Sequence, residues 1–295
     1  MKHLLTLMDW KSEEIKELID NAIEGKKKPL KTKNAMKDKT LAMLFQKNST
    51  RTRLSFEVGM KQLGGDAIFL DWQKTNITKG ELQDEVKCME RYVDIIMARV
   101  NKHDTLKQMA KHSSIPIING LCDKFHPCQA LADLITIKEK LGKLYDLKLA
   151  YIGDGNNVCN SLIIACTLVG MKISVATPKG YEPLKEAIDF AKNYLELTND
   201  PADAVKDADV IYTDTWVSMG QEKEKEKRIK AFKDFTVDKK LVKKSGKPSL
   251  IMHCLPANEG LEITREIMDS ENSVIYDQAE NRMHAQKAVL LKVLE

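Results

Sequence analysis

The chain has 295 residues, 43% hydrophobic and 31% charged, which suits a soluble globular protein of about two domains. Its 47 basic and 43 acidic side chains leave a net charge of +4 with Lys and Glu intermixed, which argues against a large basic face for nucleic acid. No apolar run is long enough to span a bilayer, MKHLLTLMDWKSEEI lacks a signal-peptide pattern, and the six cysteines are scattered, so a cytosolic protein with reduced thiols is expected.

Strand-like and helix-like runs alternate along the chain. Strands are predicted in LAMLF, AIFLD, IIMARV and IPIING, with helices around 53–63, 82–92 and 104–112 between them. The segment HPCQALADLITIKEKLG then reads as a helix with Leu131, Leu134, Ile135 and Leu141 on one face and Gly142 as its stop. Four more strands are predicted in LKLAYIG, KISVATP, DVIYTD and SLIMHCLP, and the final stretch from Gln278 is helical. Within this half, GQEKEKEKRIK reads as a solvated, mobile face of alternating charge. The alternation predicts an α/β protein of two domains, each a parallel sheet flanked by helices, joined near 125–147. In open α/β sheets ligands sit beyond the carboxyl ends of the strands, which selects the loops after Phe45, Val100, Asn119, Gly153, Asp214 and His253.

The first of those loops carries FQKNSTRTRLSFEVG. Ser49, Thr50, Arg51, Thr52 and Arg53 fall where an apolar strand gives way to a helix, so backbone N–H groups and the positive dipole end face outward beside hydroxyls and guanidiniums. That combination suits phosphate better than an ordinary helix cap does. The other loops hold Arg99, then His126 and Gln129 at a helix opened by Pro127, then DGNN, then Asp214 with TWVSMGQE, then Cys254 with LPANEG. Taken singly, each has an ordinary reading: His126 a structural side chain, Gln129 a surface amide, Cys254 a small buried hydrophobe, Asp214 a helix cap. Their shared position at strand ends is what sets them apart.

Other chemistries fit poorly. GDGNNV has Val158 where a dinucleotide fingerprint needs its third glycine, and the strand ending ATPK lacks an acidic residue for a ribose. No P-loop pattern occurs. The spacing of His126, Cys128, His253 and Cys254 matches no structural zinc site. Cys254 as a nucleophile needs a base, and His253 beside it in a strand points to the opposite face.

STRTR, HPCQ, DTWVSMGQE and HCLP, in that order, resemble the aspartate/ornithine carbamoyltransferase family over essentially the whole chain, with D-x-x-x-S-M-G and H-C-L-P in the form of its ornithine branch. The resemblance implies a cytoplasmic homotrimer of two-domain subunits, alone or in a higher assembly of trimers, with no metal and no organic cofactor. The carbamoyl-phosphate domain would span 1–125, completed by the helix over 278–295, with 126–146 connecting it to an ornithine domain at 147–277. Carried over by motif, Ser49, Thr50, Arg51 and Thr52 would hold phosphate, and Arg99, His126 and Gln129 the carbamoyl group. Asn157, Asp214, Ser218 and Met219 would hold the α-amino and α-carboxylate groups of ornithine, while Cys254, Leu255 and Arg282 would complete the site, with Arg51, Arg99, His126 and Cys254 at the chemistry. Leu255–Pro256 stands where the family places a cis peptide. The implied reaction carbamoylates the δ-amine of ornithine to give citrulline, in arginine biosynthesis or the arginine deiminase pathway; the alternative is another amine, such as putrescine, N-acetylornithine or aspartate. Two departures stand out: TNITKGELQDE lacks the serine of the usual G-E-S-x-x-D-T around Lys79, and Gln46 replaces a common Glu.

Overall fold

The computed structural model describes residues 2–217 and 222–295. The chain divides into two compact units, one running to Ile135 and taking in Glu280–Glu295, the other Thr136–Ala279. Both divisions fall inside helices, α5 (Pro127–Leu141) and α12 (Ile275–Leu294), whose other members are introduced below.

In the first unit α1 (Ser12–Lys27) buries one stripe, Ile15, Leu18, Ile19 and Ala22, and leaves the rest to solvent. It is followed by β1 (Thr40–Phe45), α2 (Thr50–Gln62), β2 (Asp66–Asp71), α3 (Leu82–Met89), β3 (Ile95–Arg99), α4 (His103–His112) and β4 (Ile117–Leu121). All pairings are parallel and the order is β2-β1-β3-β4. The central β1 and β3 are buried almost throughout, which is why both read as continuous apolar runs rather than alternating ones. The N-terminal segment covers the β4 edge: Leu4 donates to the Ile117 carbonyl at 2.9 Å and accepts from the Asn119 N–H at 2.8 Å.

The second unit continues with β5 (Lys148–Ile152), α6 (Asn157–Val169), β6 (Lys172–Ala176), α7 (Lys185–Ala191), β7 (Leu195–Thr198) and α8 (Pro201–Val205). Then come β8 (Val210–Thr213), α9 (Lys225–Phe232), α10 (Lys239–Lys243), β9 (Leu250–His253) and α11 (Arg265–Met268). Its sheet is again parallel, ordered β7-β6-β5-β8-β9. Five strands replace the four expected: β7 is a short edge strand whose Glu196 and Leu197 stay exposed, so its sequence carries no buried run. Helix α6 is apolar nearly all round and buried to match, each of Leu162, Ile163 and Ile164 contributing about 1.5–3 kcal/mol, and it ends at Gly170 in the left-handed region.

Two expectations need adjusting in detail. The last helix begins at Ile275 rather than Gln278, since Ile275 packs into the second unit's core. The charged stretch from Gly220 is not all solvated: its described part forms a 3-10 turn (Glu222–Glu224) and most of α9, with Lys225–Lys227 exposed but Arg228 buried. Alternating charge hid the inward-facing arginine.

In each sheet the strand order reverses once, between β1 and β3 and between β5 and β8. In open α/β sheets such a reversal is where adjacent loops part and ligands bind beyond the carboxyl ends of the strands. Among the described residues no helix is long and apolar enough to cross a membrane.

Candidate active site

At the first reversal, Ser49 is the extended N-cap of α2, accepting from the Thr52 N–H at 3.2 Å and lying 3.1 Å from Thr52 Oγ1. Thr52 Oγ1 also accepts from Arg282 Nη2 at 2.9 Å. Arg282 Nη1 donates to Gln129 Oε1 at 3.1 Å, and the Gln129 amide is turned that way because its Nε2 donates to the buried Asp133 at 2.8 Å. Arg99 ends β3 at an irregularity where Ala98 faces Asn119 but Arg99 faces Leu121, which re-aims its side chain. Gln46 ties this loop down, donating from its backbone to the Arg99 carbonyl at 2.8 Å and accepting from the Asn101 N–H at 2.7 Å. The amide oxygen at position 46 thus serves as an acceptor for backbone, as a carboxylate would.

His126 lies at the start of α5, buried like Arg99, Gln129 and Arg282. Burial, reinforced by the charges of Arg282, Arg99 and Arg51, holds its imidazole well below the usual histidine range, so it is neutral at physiological pH. The loop delivering it is shaped around the Cys122 sulfur, which accepts from the Phe125 N–H and Asn119 Nδ2 at 3.4 Å each and meets the His103 ring at 3.4 Å. Burial pushes that thiol up to about 11, so it is a structural acceptor and not a nucleophile. Of the two arginines in STRTR only Arg51 acts on His126; Arg53 is exposed, pairs with Glu57 at 3.2 Å and lies over Phe69.

At the second reversal Asp214 follows β8 and Asn156 precedes α6. Asn156 Oδ1 caps the helix, accepting from the N–H groups of Val158 and Cys159 at 3.0 and 3.1 Å, while its Nδ2 donates to Asp214 at 2.7 Å. The other Asp214 oxygen accepts from the Thr215 N–H at 2.8 Å and the Cys254 thiol at 3.0 Å. Gly155 lets this turn pass against the backbone of Glu182 and Pro183, where a Cβ would collide. Cys254 follows β9, and Leu255 has φ 60 before a cis bond to Pro256.

Asp214, His253 and Cys254 offer donor atoms within 4.8 Å of one another. His253 is already committed, accepting at Nδ1 from the Leu255 N–H at 2.8 Å and meeting Glu262 through Nε2 at 3.2 Å. The trio therefore fits a turn fixed by its histidine better than a metal centre.

Residues 2–139 match the family model described as aspartate/ornithine carbamoyltransferase, carbamoyl-P binding domain, and residues 145–293 the one described as the Asp/Orn binding domain. The chain belongs to the aspartate/ornithine carbamoyltransferase family. Among curated relatives it is 48% identical to an ornithine carbamoyltransferase of Archaeoglobus fulgidus, over 100% of this chain and 98% of that one. It is 50% identical to that of Bacillus subtilis, over 99% and 94%. The solved ornithine carbamoyltransferase of Pyrococcus furiosus superposes with a TM-score of 0.94 at 51% identity, covering 98% of this chain and 96% of that one. That of Thermus thermophilus gives 0.92 at 42%, covering 100% and 99%.

For a carbamoyltransferase-family chain, the motif residues fall into two clusters. Thr52, Gln129 and Arg282 are bonded together, and Arg51, Arg99 and Arg282 converge electrostatically on His126, with Ser49 at the helix cap and Thr50 exposed beside it. Asp214 and Cys254 are bonded together, Asn157 is the first residue of α6, and Leu255 follows Cys254. Ser218 and Met219 lie outside the described residues. Lys79 is exposed in the atypical loop before α3.

The motif reading missed Asn156, whose capping position before α6 is a sequence signal in GDGNN. It also missed Asp133, Asp154 and Arg228. Arg228 Nη1 donates to Asp154 and to the Trp216 carbonyl, both at 3.0 Å, and its guanidinium lies over the Tyr181 ring. Burial outweighs this partner and pushes Asp154 up to about 6. No local pattern announces that pair.

Proposed function

We propose that this chain transfers the carbamoyl group of carbamoyl phosphate to the δ-amine of L-ornithine, giving L-citrulline and phosphate. The observation that carries the reading is the convergence of Arg51, in the first turn of α2, with Arg99 and Arg282 on a neutral His126 at the start of α5. In this reading the Ser49–Thr52 turn and Arg51 take the phosphate, for which planar guanidinium forks suit bidentate contact. Arg99, His126 and Gln129 take the carbamoyl group. Asn157, Asp214, Ser218 and Met219 take the α-amino and α-carboxylate groups of ornithine, and Cys254 and Leu255 border the reacting centre.

The δ-amine resembles lysine, with a pKa near ~10.4, so only about one molecule in 10³ is nucleophilic at neutral pH. The neutral amine attacks the carbamoyl carbon and forms the C–N bond, while the carbonyl oxygen takes on negative charge. Arg51, Thr52, Arg99 and the N–H of neutral His126 stabilise that oxygen. Collapse breaks the C–O bond to phosphate, which departs with the proton from the amine. Orientation supplies much of the rest of the rate gain. Carbamoyl phosphate binds first, because its charge completes the cationic cluster; random order in product-inhibition kinetics would sink this.

The amine is identified by measuring phosphate release and the carbamoylated product, citrulline in the case of ornithine, with ornithine, putrescine, N-acetylornithine and aspartate at equal concentration. Strong preference for ornithine is the expected result, and phosphate release only with another amine overturns the specificity. A relative named "Ornithine carbamoyltransferase, anabolic" supports a role in arginine biosynthesis. A cytoplasmic homotrimer is the proposed assembly. Leu54 and Val58 on α2 and Ile68 on the edge strand β2 leave an exposed apolar face suited to another copy of the chain.

A further inference from the structure

Apart from the cluster around His126, the first unit holds a cavity of about 170 Å³ walled by α1, α12 and the residue closing α2. Leu18, Ala22, Leu63 and Leu291 give it apolar walls. Lys287 also lines it and is only 5% exposed. Its Nζ donates to Gln62 Oε1 at 3.0 Å, a neutral amide, and among the described residues no carboxylate lies within ion-pair distance of it. Burial accordingly lowers the affinity of Lys287 for its proton, with no opposing carboxylate.

Glu24 and Glu295 also line the cavity, but each carboxylate is matched by a lysine of the same lining. Lys31 meets Glu24 at 2.7 Å, and Lys292 meets Glu295 at 2.7 Å and Glu17 at 3.0 Å. His284, on the same wall and 8% exposed, has Nε2 beside Glu280 while its buried Nδ1 has no hydrogen-bond partner. A buried ammonium with a neutral partner is an incomplete ion pair, and burying it is costly unless an anion joins it. The cavity's size is close to the ~150 Å³ that holds a benzene-sized molecule. Inorganic phosphate would leave its oxygens against leucines.

We infer that this cavity binds a small aliphatic carboxylate, its carboxylate on Lys287 Nζ and its chain against Leu18, Leu63 and Leu291. This is an anion site separate from the one around Arg51 and needs no turnover to be seen.

Calorimetric titration with sodium pentanoate tests it, with pentylamine and 1-pentanol as the charge-reversed and neutral probes. Pentanoate should bind at one site per chain and at least about tenfold tighter than either analogue. Lys287→Met, which keeps most of the stem, should weaken pentanoate by about tenfold or more. Leu291→Trp should abolish binding while leaving the lysine in place. Binding by carbamoyl phosphate serves as the folding control for both variants. Pentanoate binding that survives Lys287→Met, or that does not exceed pentylamine binding, overturns the inference.

Discussion

Around His126 three guanidiniums gather beside a buried imidazole, whereas around Asp214 both carboxylate oxygens accept hydrogen bonds from the chain itself. Like charge collected in a buried place is favourable only when an anion completes it, so the first cluster is built for a ligand that arrives with charge. The second is held in place by the chain, with Oδ2 of Asp214 taking a single donor from Asn156 and keeping acceptor capacity for a substrate ammonium. One region stores electrostatic demand; the other stores geometry.

The largest expected effect comes from breaking the first region. Arg51→Ala should lower kcat/KM by about 10²–10³, with Arg51→Lys recovering little of it, as steady-state kinetics would record. If lysine restores full rate, the bidentate reading fails. Arg228→Gln tests the second region, since it strands Asp154 in a buried position; the expected loss is about 3 kcal/mol of stability in urea unfolding together with a raised KM for ornithine. Adding Asp154→Asn should recover much of the stability but not the KM. Equal recovery of both would make the pair structural only.

A smaller effect sharpens the contrast through pH. His126 has its folded pKa below its ordinary 6.5, so below pH 6.5 the unfolded chain gains a proton that the folded one does not. Its contribution to stability is therefore present in full above 6.5 and is lost as pH falls toward the folded value, by up to about 1.4 kcal/mol per pH unit. His126→Gln should flatten that slope in denaturation curves taken at successive pH values; an unchanged slope would mean that other groups cause it. Smallest of all, Ser49→Ala should cost about 1 kcal/mol through loss of the α2 cap, read as a lowered Tm.

How much of this was legible varies with the range of the interaction. The helix start at Ser49 was readable because capping is decided within four residues, and β1 and β3 because buried parallel strands are apolar throughout. The edge strand β7 was not, because half its residues face solvent. Arg228 was hidden among lysines and glutamates of the same charge density, and only its partner 74 residues away marks it as buried.

The sequence by itself determined the alternation of strands and helices, the residues at each strand end and the motifs that mark the family, since all of these are written in hydrophobic periodicity and a few neighbouring side chains. Only the tertiary structure decided the strand orders β2-β1-β3-β4 and β7-β6-β5-β8-β9, and with them which loops become neighbours. It alone brought Arg282 to Thr52 across 230 residues of chain and set Lys287 in a cavity wall with the neutral Gln62 amide as its partner. Contacts of that span depend on how whole elements pack, and no local pattern encodes them.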